Sequence, residues 1–169
     1  MLDSAEFLDT ARLLVDASSS TPPSDGQLRR AISTSYYALF HKVLDAAATR
    51  FMGSENRHQP GFALLYRGFN HGRMKAVCKS IDVGQLSPTY ARQLGVAHVS
   101  QDMRDFASVF VALQEARHSA DYDPHSAVAH TDAIGLVDQA ELGTRAFDRA
   151  APTEQADVLA LMLVNTRES

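Results

Sequence analysis

The sequence predicts an all-α protein, an antiparallel bundle of about five helices. Three observations lead there. Apolar residues recur at three- and four-residue steps along most of the chain. No stretch sustains the period-two alternation of a half-buried strand. Breakers rich in Gly, Pro and Ser cut the periodic pattern into helix-length pieces. At 169 residues the chain reads as one domain, residues 1–169, long enough to bury a core.

Each element has its own signature. Phe7, Leu8, Ala11, Leu14 and Val15 mark a first helix, and Asp3 with Glu6 forms a capping-box pattern before it. "SSSTPPSDG" breaks the pattern. Ser24 and Gln27 repeat the capping box and open a long second helix. Its apolar stripe runs through Leu28, Ile32, Tyr36, Leu39, Phe40, Val43, Leu44 and Ala47 to about Phe51. "MGSENRHQPG" reads as a loop. "FALLYRGFNHGRMKAVCKS" is helical in pattern, although Gly68 and Gly72 each weaken it by about 1 kcal/mol relative to alanine. "IDVGQLSP" breaks again, and a short helix is expected over Pro88–Leu94.

A further main helix carries Met103, Phe106, Phe110 and Leu113 and runs into "ARHSADYDP". Asp123 then reads as an N-cap with Pro124 at the first helical position. Val128, Ala133, Val137 and Ala140 are expected to continue that next helix, past Gly143 to Phe147. Pro152 and Thr153 open the last one, with Ala156, Leu159, Leu163 and Val164.

Composition narrows the function classes. Apolar residues at 45% and charged residues at 21% are ordinary for a soluble globular chain. The start lacks the basic and apolar regions of a secretory signal, and no segment reaches the length of a membrane span. With Cys78 as the single cysteine, no intramolecular disulfide is expected. A cytoplasmic protein without a membrane partner is the expectation. The net charge of −4 does not suit a globally basic nucleic-acid binder. Charge is unevenly placed, however. Residues 27–79 carry nine Lys/Arg against two acids, a local +7, and residues 99–169 carry five against twelve, a local −7. Such a split can give one positive face able to attract phosphates, or two halves that pair with each other.

No metal and no cofactor is expected. The seven histidines form no H-x-x-x-H or HExxH pair, and Cys78 has no partner cysteine. Glu115 and His118 give one Glu-x-x-His where a di-iron bundle needs two. No strand-preceded phosphate loop and no nucleophile elbow occurs. In the second helix, Tyr37 and His41 lie four residues apart at the edge of the apolar stripe, about two to three turns beyond Arg29 and Arg30.

Two stretches together carry a resemblance. "RRAISTSYYALFH" resembles the first signature of the HEPN domain family, a small-residue helix with a Tyr-Tyr-Ala-x-Phe-His core. "ARHSADYDP" resembles its second, an arginine followed within a turn by Ala-Asp-Tyr. The likeness covers roughly residues 5–150, with the signatures in the family's order and separated by a variable loop and a middle helix. It implies a HEPN-like bundle that forms a homodimer, with two copies of the arginine motif across a shared cleft. In catalytic members that motif is an arginine followed by four to six residues and a histidine. The chemistry implied is metal-independent RNA cleavage to a 2′,3′-cyclic phosphate. Histidine would assist proton transfer and arginine would stabilise charge on phosphorus.

This chain departs from that pattern. Arg117 matches, but Asp121 follows four residues on and then Tyr122, where a histidine would be expected. His118 adjoins Arg117 and points about 100° away around a helix. Arg92 and His98 have a fitting spacing outside the matched signature. The expectation is therefore a protein that binds RNA or a nucleotide in a basic cleft. Endoribonuclease activity of a toxin or defence kind is its enzymatic extension. Arg117, Asp121, Tyr122 and His41 are the candidate catalytic residues, and Arg30, Tyr37, Arg67, His71 and Arg73 the candidate RNA- or nucleotide-binding residues. The competing expectation is a non-catalytic interaction module that holds a protein partner such as a nucleotidyltransferase. In that reading Arg117 and Asp121 pair along a helix end, and Tyr122 hydrogen-bonds across to Tyr36, Tyr37 or His41.

Overall fold

A computed structural model of the chain describes residues 3–16, 22–82, 86–125 and 127–164. All regular structure among them is helical: α1 (Ser4–Val15), α2 (Asp25–Met52), α3 (Pro60–Tyr66), α4 (His71–Asp82), α5 (Pro88–Leu94), α6 (Gln101–Tyr122), α7 (His130–Arg149) and α8 (Pro152–Leu163), with a short 3-10 turn at Ser54–Asn56. These eight helices exceed the five expected. Parts of the two breakers, residues 18–21 and 83–85, lie outside the described residues. Among the described residues no helix is long and apolar enough to cross a membrane.

The start of α2 follows directly from sequence. The Ser24 N–H donates to Gln27 Oε1 at 2.9 Å, and Gln27 N–H donates back to Ser24 Oγ at 3.4 Å. Both directions of the capping box are thus made. At the other end Gly53 adopts φ +83° while its N–H closes on Thr49 O at 2.8 Å. That positive-φ conformation is one glycine reaches without a Cβ penalty.

Two expectations are corrected. The segment Phe62–Ser80 is not one helix. It breaks after Tyr66, where Arg67 N–H bonds to Ala63 O. Asn70 then starts α4, its Oδ1 accepting from Gly72 N–H at 2.9 Å and Arg73 N–H at 3.1 Å. Asp123 and Pro124 do not open the next helix either, because α7 begins at His130. Asp123 still belongs to the end of α6, its N–H bonded to Ser119 O at 3.0 Å. Its carbonyl, which an N-cap would offer to a new helix, accepts from Arg29 Nη1 at 2.9 Å. Its side chain closes a local turn by accepting from His125 N–H at 2.9 Å.

The chain divides into two compact units. The first comprises residues 1–42 and 109–145, so α1, the first part of α2, the end of α6 and most of α7. Its core joins Ala11 and Val15 of α1, Leu28, Ala31 and Ile32 of α2, Ala120 of α6, and Ala133 and Val137 of α7. Tyr36, Leu39, Phe110 and Leu113 are also fully buried. Arg12 of α1 contacts both Asp138 and Glu141 of α7, its Nε donating to Glu141 Oε1 at 2.9 Å. Gly143 marks a close approach: a Cβ there would stand 2.7 Å from Val109 Cγ1 and 3.3 Å from Leu39 Cδ2.

The second unit comprises residues 43–108 and 146–169. Its buried residues include Phe62, Met74, Val77, Cys78, Ile81, Met103, Phe106, Phe147, Val158 and Met162. Arg73 of α4 ties α4 to the end of α8, donating to Leu161 O at 3.0 Å and Val164 O at 2.7 Å. These are helix C-terminal carbonyls that a cation suits. Arg57 grips Asp45 with both Nη atoms, at 2.6 and 2.7 Å.

Candidate functional site

The first unit gathers a polar and aromatic cluster where α2 meets the end of α6. Spacing on α2 explains half of it. Ser33, Tyr36, Tyr37 and Phe40 fall within about two turns, so Tyr36 is directed into the core while Tyr37 stays half-buried at the margin. Tyr36 packs on Phe40 and Phe110, with ring centroids 5.8 and 5.6 Å apart.

Arg117 enters from α6. Its Nη2 donates to the Tyr37 hydroxyl at 3.1 Å. Its Nε stands 2.8 Å from Asp121 Oδ2, one turn on, with side-chain exposures of 17% and 27%. That contact is an ion pair rather than an aligned hydrogen bond, since the Nε–H does not point along it. The guanidinium carbon lies 5.7, 5.5 and 5.8 Å from the ring centroids of Tyr36, Tyr37 and Tyr122. Burial works against the cation. Tyr37, Asp121 and Tyr122 outweigh that cost and hold its pKa above the ordinary arginine value. Asp121 also accepts a short hydrogen bond from Ser33 Oγ, which joins α6 back to α2. Arg29 completes the joint by donating to Ala120 O and Asp123 O, both at 2.9 Å.

Tyr37 has a second face. With Glu6, Phe7 and Thr10 of α1, and Arg30, Thr34 and His41 of α2, it lines a cavity of about 470 Å³. Phe7 stacks on His41 there, centroids 5.0 Å apart and planes inclined by 17°. Tyr37 lies 6.1 Å from His41 at an inclination of 29°.

The predicted residues therefore fall into distinct places. Arg117, Asp121 and Tyr37 are brought into contact. Arg30, Tyr37 and His41 share the cavity. Tyr122 is 65% exposed, and its ring neighbour is His118 at 5.2 Å. The expected bond from Tyr122 across to α2 is made by Arg117 instead. His41 has ring contacts with Phe7, Tyr37 and Phe40. Arg67, His71 and Arg73 belong to the second unit. There Arg67 is exposed at the end of α3, His71 opens α4 half-buried, and Arg73 holds the α8 carbonyls.

Sequence reasoning missed Glu6, Phe7, Thr10 and Thr34 on the cavity wall and Ser33 beneath Asp121. Phe7 reads as one more apolar position of α1, so nothing local signals its stacking on His41. Ser33 had a signal: Ser33, Thr34 and Ser35 interrupt a stripe that is otherwise buried and apolar, and such polar residues need partners. Ser35 finds its partner locally in Ala31 O at 2.9 Å. Ser33 reaches α6. Among the described residues no three or more His, Cys, Asp or Glu side chains converge as a metal site.

No protein-family model matches the chain, no curated protein matches it, and no solved structure matches it.

Proposed function

We propose that this chain is a HEPN-like helical protein that binds RNA or a nucleotide through the first unit, and that Arg117 serves binding rather than cleavage. The observation that carries the reading is the double role of Tyr37. Its hydroxyl accepts from Arg117, and the same residue walls a cavity that also holds Arg30 and His41. Arginine and aromatic rings at one concave site are the combination that recognises phosphate and stacks a base. Among the described residues Arg117 Nη1 makes no hydrogen bond to protein, which leaves a donor for a phosphate oxygen. The cleavage chemistry that the resemblance implies needs a histidine at the arginine, and the side chains around Arg117 are three tyrosines and Asp121. The homodimer and a toxin or defence setting come with the resemblance and belong to the same proposal.

A second reading has its own observation. The i, i+4 pairing of Arg117 with Asp121, with Ser33 beneath it, suits a structural lock in an interaction module that holds a protein partner such as a nucleotidyltransferase. One experiment separates the readings. Labelled single-stranded RNA is incubated with wild type and Arg117→Ala in EDTA, then split between a binding assay and a denaturing gel. The proposal expects bound, intact RNA and weaker binding by the variant. Cyclic-phosphate ends made by wild type and not by the variant would restore the nuclease. No binding of the RNA, or of 5′-AMP in the same assay, by either protein would favour the interaction module.

A further inference from the structure

The cavity between α1 and α2 is chemically more specific than a general phosphate-attracting surface. Two of its charged groups are uncommitted. Among the described residues the Arg30 side chain makes no ion pair or hydrogen bond, and the Glu6 carboxylate makes none either. They stand on different helices, Arg30 on α2 and Glu6 on α1. Three rings share the lining with them, namely Phe7 stacked on His41 and Tyr37 beside it. Thr34 and Tyr37 add hydroxyls.

From this arrangement we infer that the α1–α2 cavity is a mononucleotide site, taking one nucleoside 5′-monophosphate unit. The phosphate lies on Arg30, the base lies along the Phe7, His41 and Tyr37 rings, and the Glu6 carboxylate accepts from a base amino group or a ribose hydroxyl. The inference rests on the reading that this unit binds RNA or a nucleotide, and names the part of the ligand it grips. Size agrees, since about 470 Å³ falls in the range of small-ligand pockets. Polarity agrees too. A phosphate would be repelled at Glu6 and attracted at Arg30, so the two charges fix one direction of entry. Aromatic walls suit a planar base better than an aliphatic zwitterion that could also satisfy both charges. Besides offering its own phosphate donor, Arg117 positions the site, because its bond to the Tyr37 hydroxyl sets the ring that faces the base.

The source of the unit is either a free nucleotide or the 5′ end of a strand, and one titration series distinguishes them. The probes are 5′-AMP, adenosine, and one short RNA with a 5′-phosphate or a 5′-hydroxyl, measured by calorimetry on the full chain. AMP is expected to bind, with adenosine weaker by about tenfold or more for the lost charge-assisted contact. Arg30→Ala is expected to weaken AMP by a similar factor and leave adenosine unchanged. Arg145→Ala, an exposed arginine of the same unit outside the cavity, is expected to leave both unchanged. Preference for 5′-phosphorylated over 5′-hydroxyl RNA, lost in Arg30→Ala, would assign the strand end; equal binding of the two RNAs beside tight AMP would assign the free nucleotide. Adenosine binding as tightly as AMP, or an AMP affinity unmoved by Arg30→Ala, overturns the inference. RNA binding without AMP binding also overturns it while leaving the broader RNA-binding reading intact. Absence of binding by any probe removes both.

Discussion

Replacing Tyr37 with phenylalanine removes one oxygen atom, and that atom is the acceptor for Arg117 Nη2 at 3.1 Å. A hydrogen bond to a charged group contributes about 1.5–3 kcal/mol. At 3.1 Å the contact is near the long end of the hydrogen-bond range, so the lower end applies, and Tyr37→Phe should cost about 1.5 kcal/mol. Arg117→Ala loses more. It also gives up the Asp121 pair, about 0.5 kcal/mol for an i, i+4 contact, and the tyrosine faces, about 1 kcal/mol. Its total is therefore about 3 kcal/mol. In the Tyr37→Phe background the same alanine substitution should cost about 1–1.5 kcal/mol less, and that difference is the coupling energy. Urea unfolding of the four proteins with a common m-value measures it. The coupling should also stay flat from about pH 6 to pH 9, because the Arg117 pKa is raised and its stabilisation is lost only above the arginine range. A coupling below about 0.3 kcal/mol would mean that the two side chains act independently. The joint between α2 and the end of α6 would then not be the one described.

Other parts of the chain give equally sharp expectations. Gly135→Ala should stabilise by up to about 1 kcal/mol, since a Cβ there meets no atom within 4 Å and alanine is the better helix former. Gly143→Ala should be neutral to destabilising, because the same gain is opposed by about 1–3 kcal/mol of overpacking against Val109 and Leu39; an equal rise in both urea midpoints would refute the close approach. Burial, with Asp82 adding, pushes the Cys78 thiol well above its ordinary value. The unfolded thiol ionises first, from about pH 8.5, so the native state retains a proton the unfolded state loses. Stability should fall as pH rises past that point, by up to about 1.4 kcal/mol per pH unit, and urea midpoints up to about pH 9.5 should show the fall in wild type and its loss in Cys78→Ala.

The extent of what sequence reveals follows from the range of each interaction. Ser24 and Gln27 are three residues apart, and the capping box they predict is present in both directions. Pro88 and Pro152 open their helices where expected. The short-range pairing of Arg117 with Asp121 is legible for the same reason. Errors arise where a partner is distant or a local cap competes. Asp123 has the composition of an N-cap, but Arg29, 94 residues earlier, holds its carbonyl. Asn70 splits a periodic segment by taking over two backbone N–H groups, and its amide outweighs the apolar pattern on either side. Arg73 looks like one more cation of a basic stretch until α8 presents carbonyls to it. The cavity is the clearest case. Tyr37 and His41 are visible at one-turn spacing, whereas Glu6 and Phe7 join them only once α1 is laid beside α2.

The most direct test of the central claim is the salt dependence of binding between the purified chain and a short single-stranded RNA in EDTA. Phosphate contacts release counterions, so the logarithm of the affinity should fall linearly with the logarithm of salt concentration, by about 0.7 for each phosphate engaged. A measurable slope that shrinks by about one contact in Arg30→Ala, with the RNA left intact, is the predicted result. Absence of binding to both the RNA and 5′-AMP at low salt, or binding with no salt dependence, would contradict it.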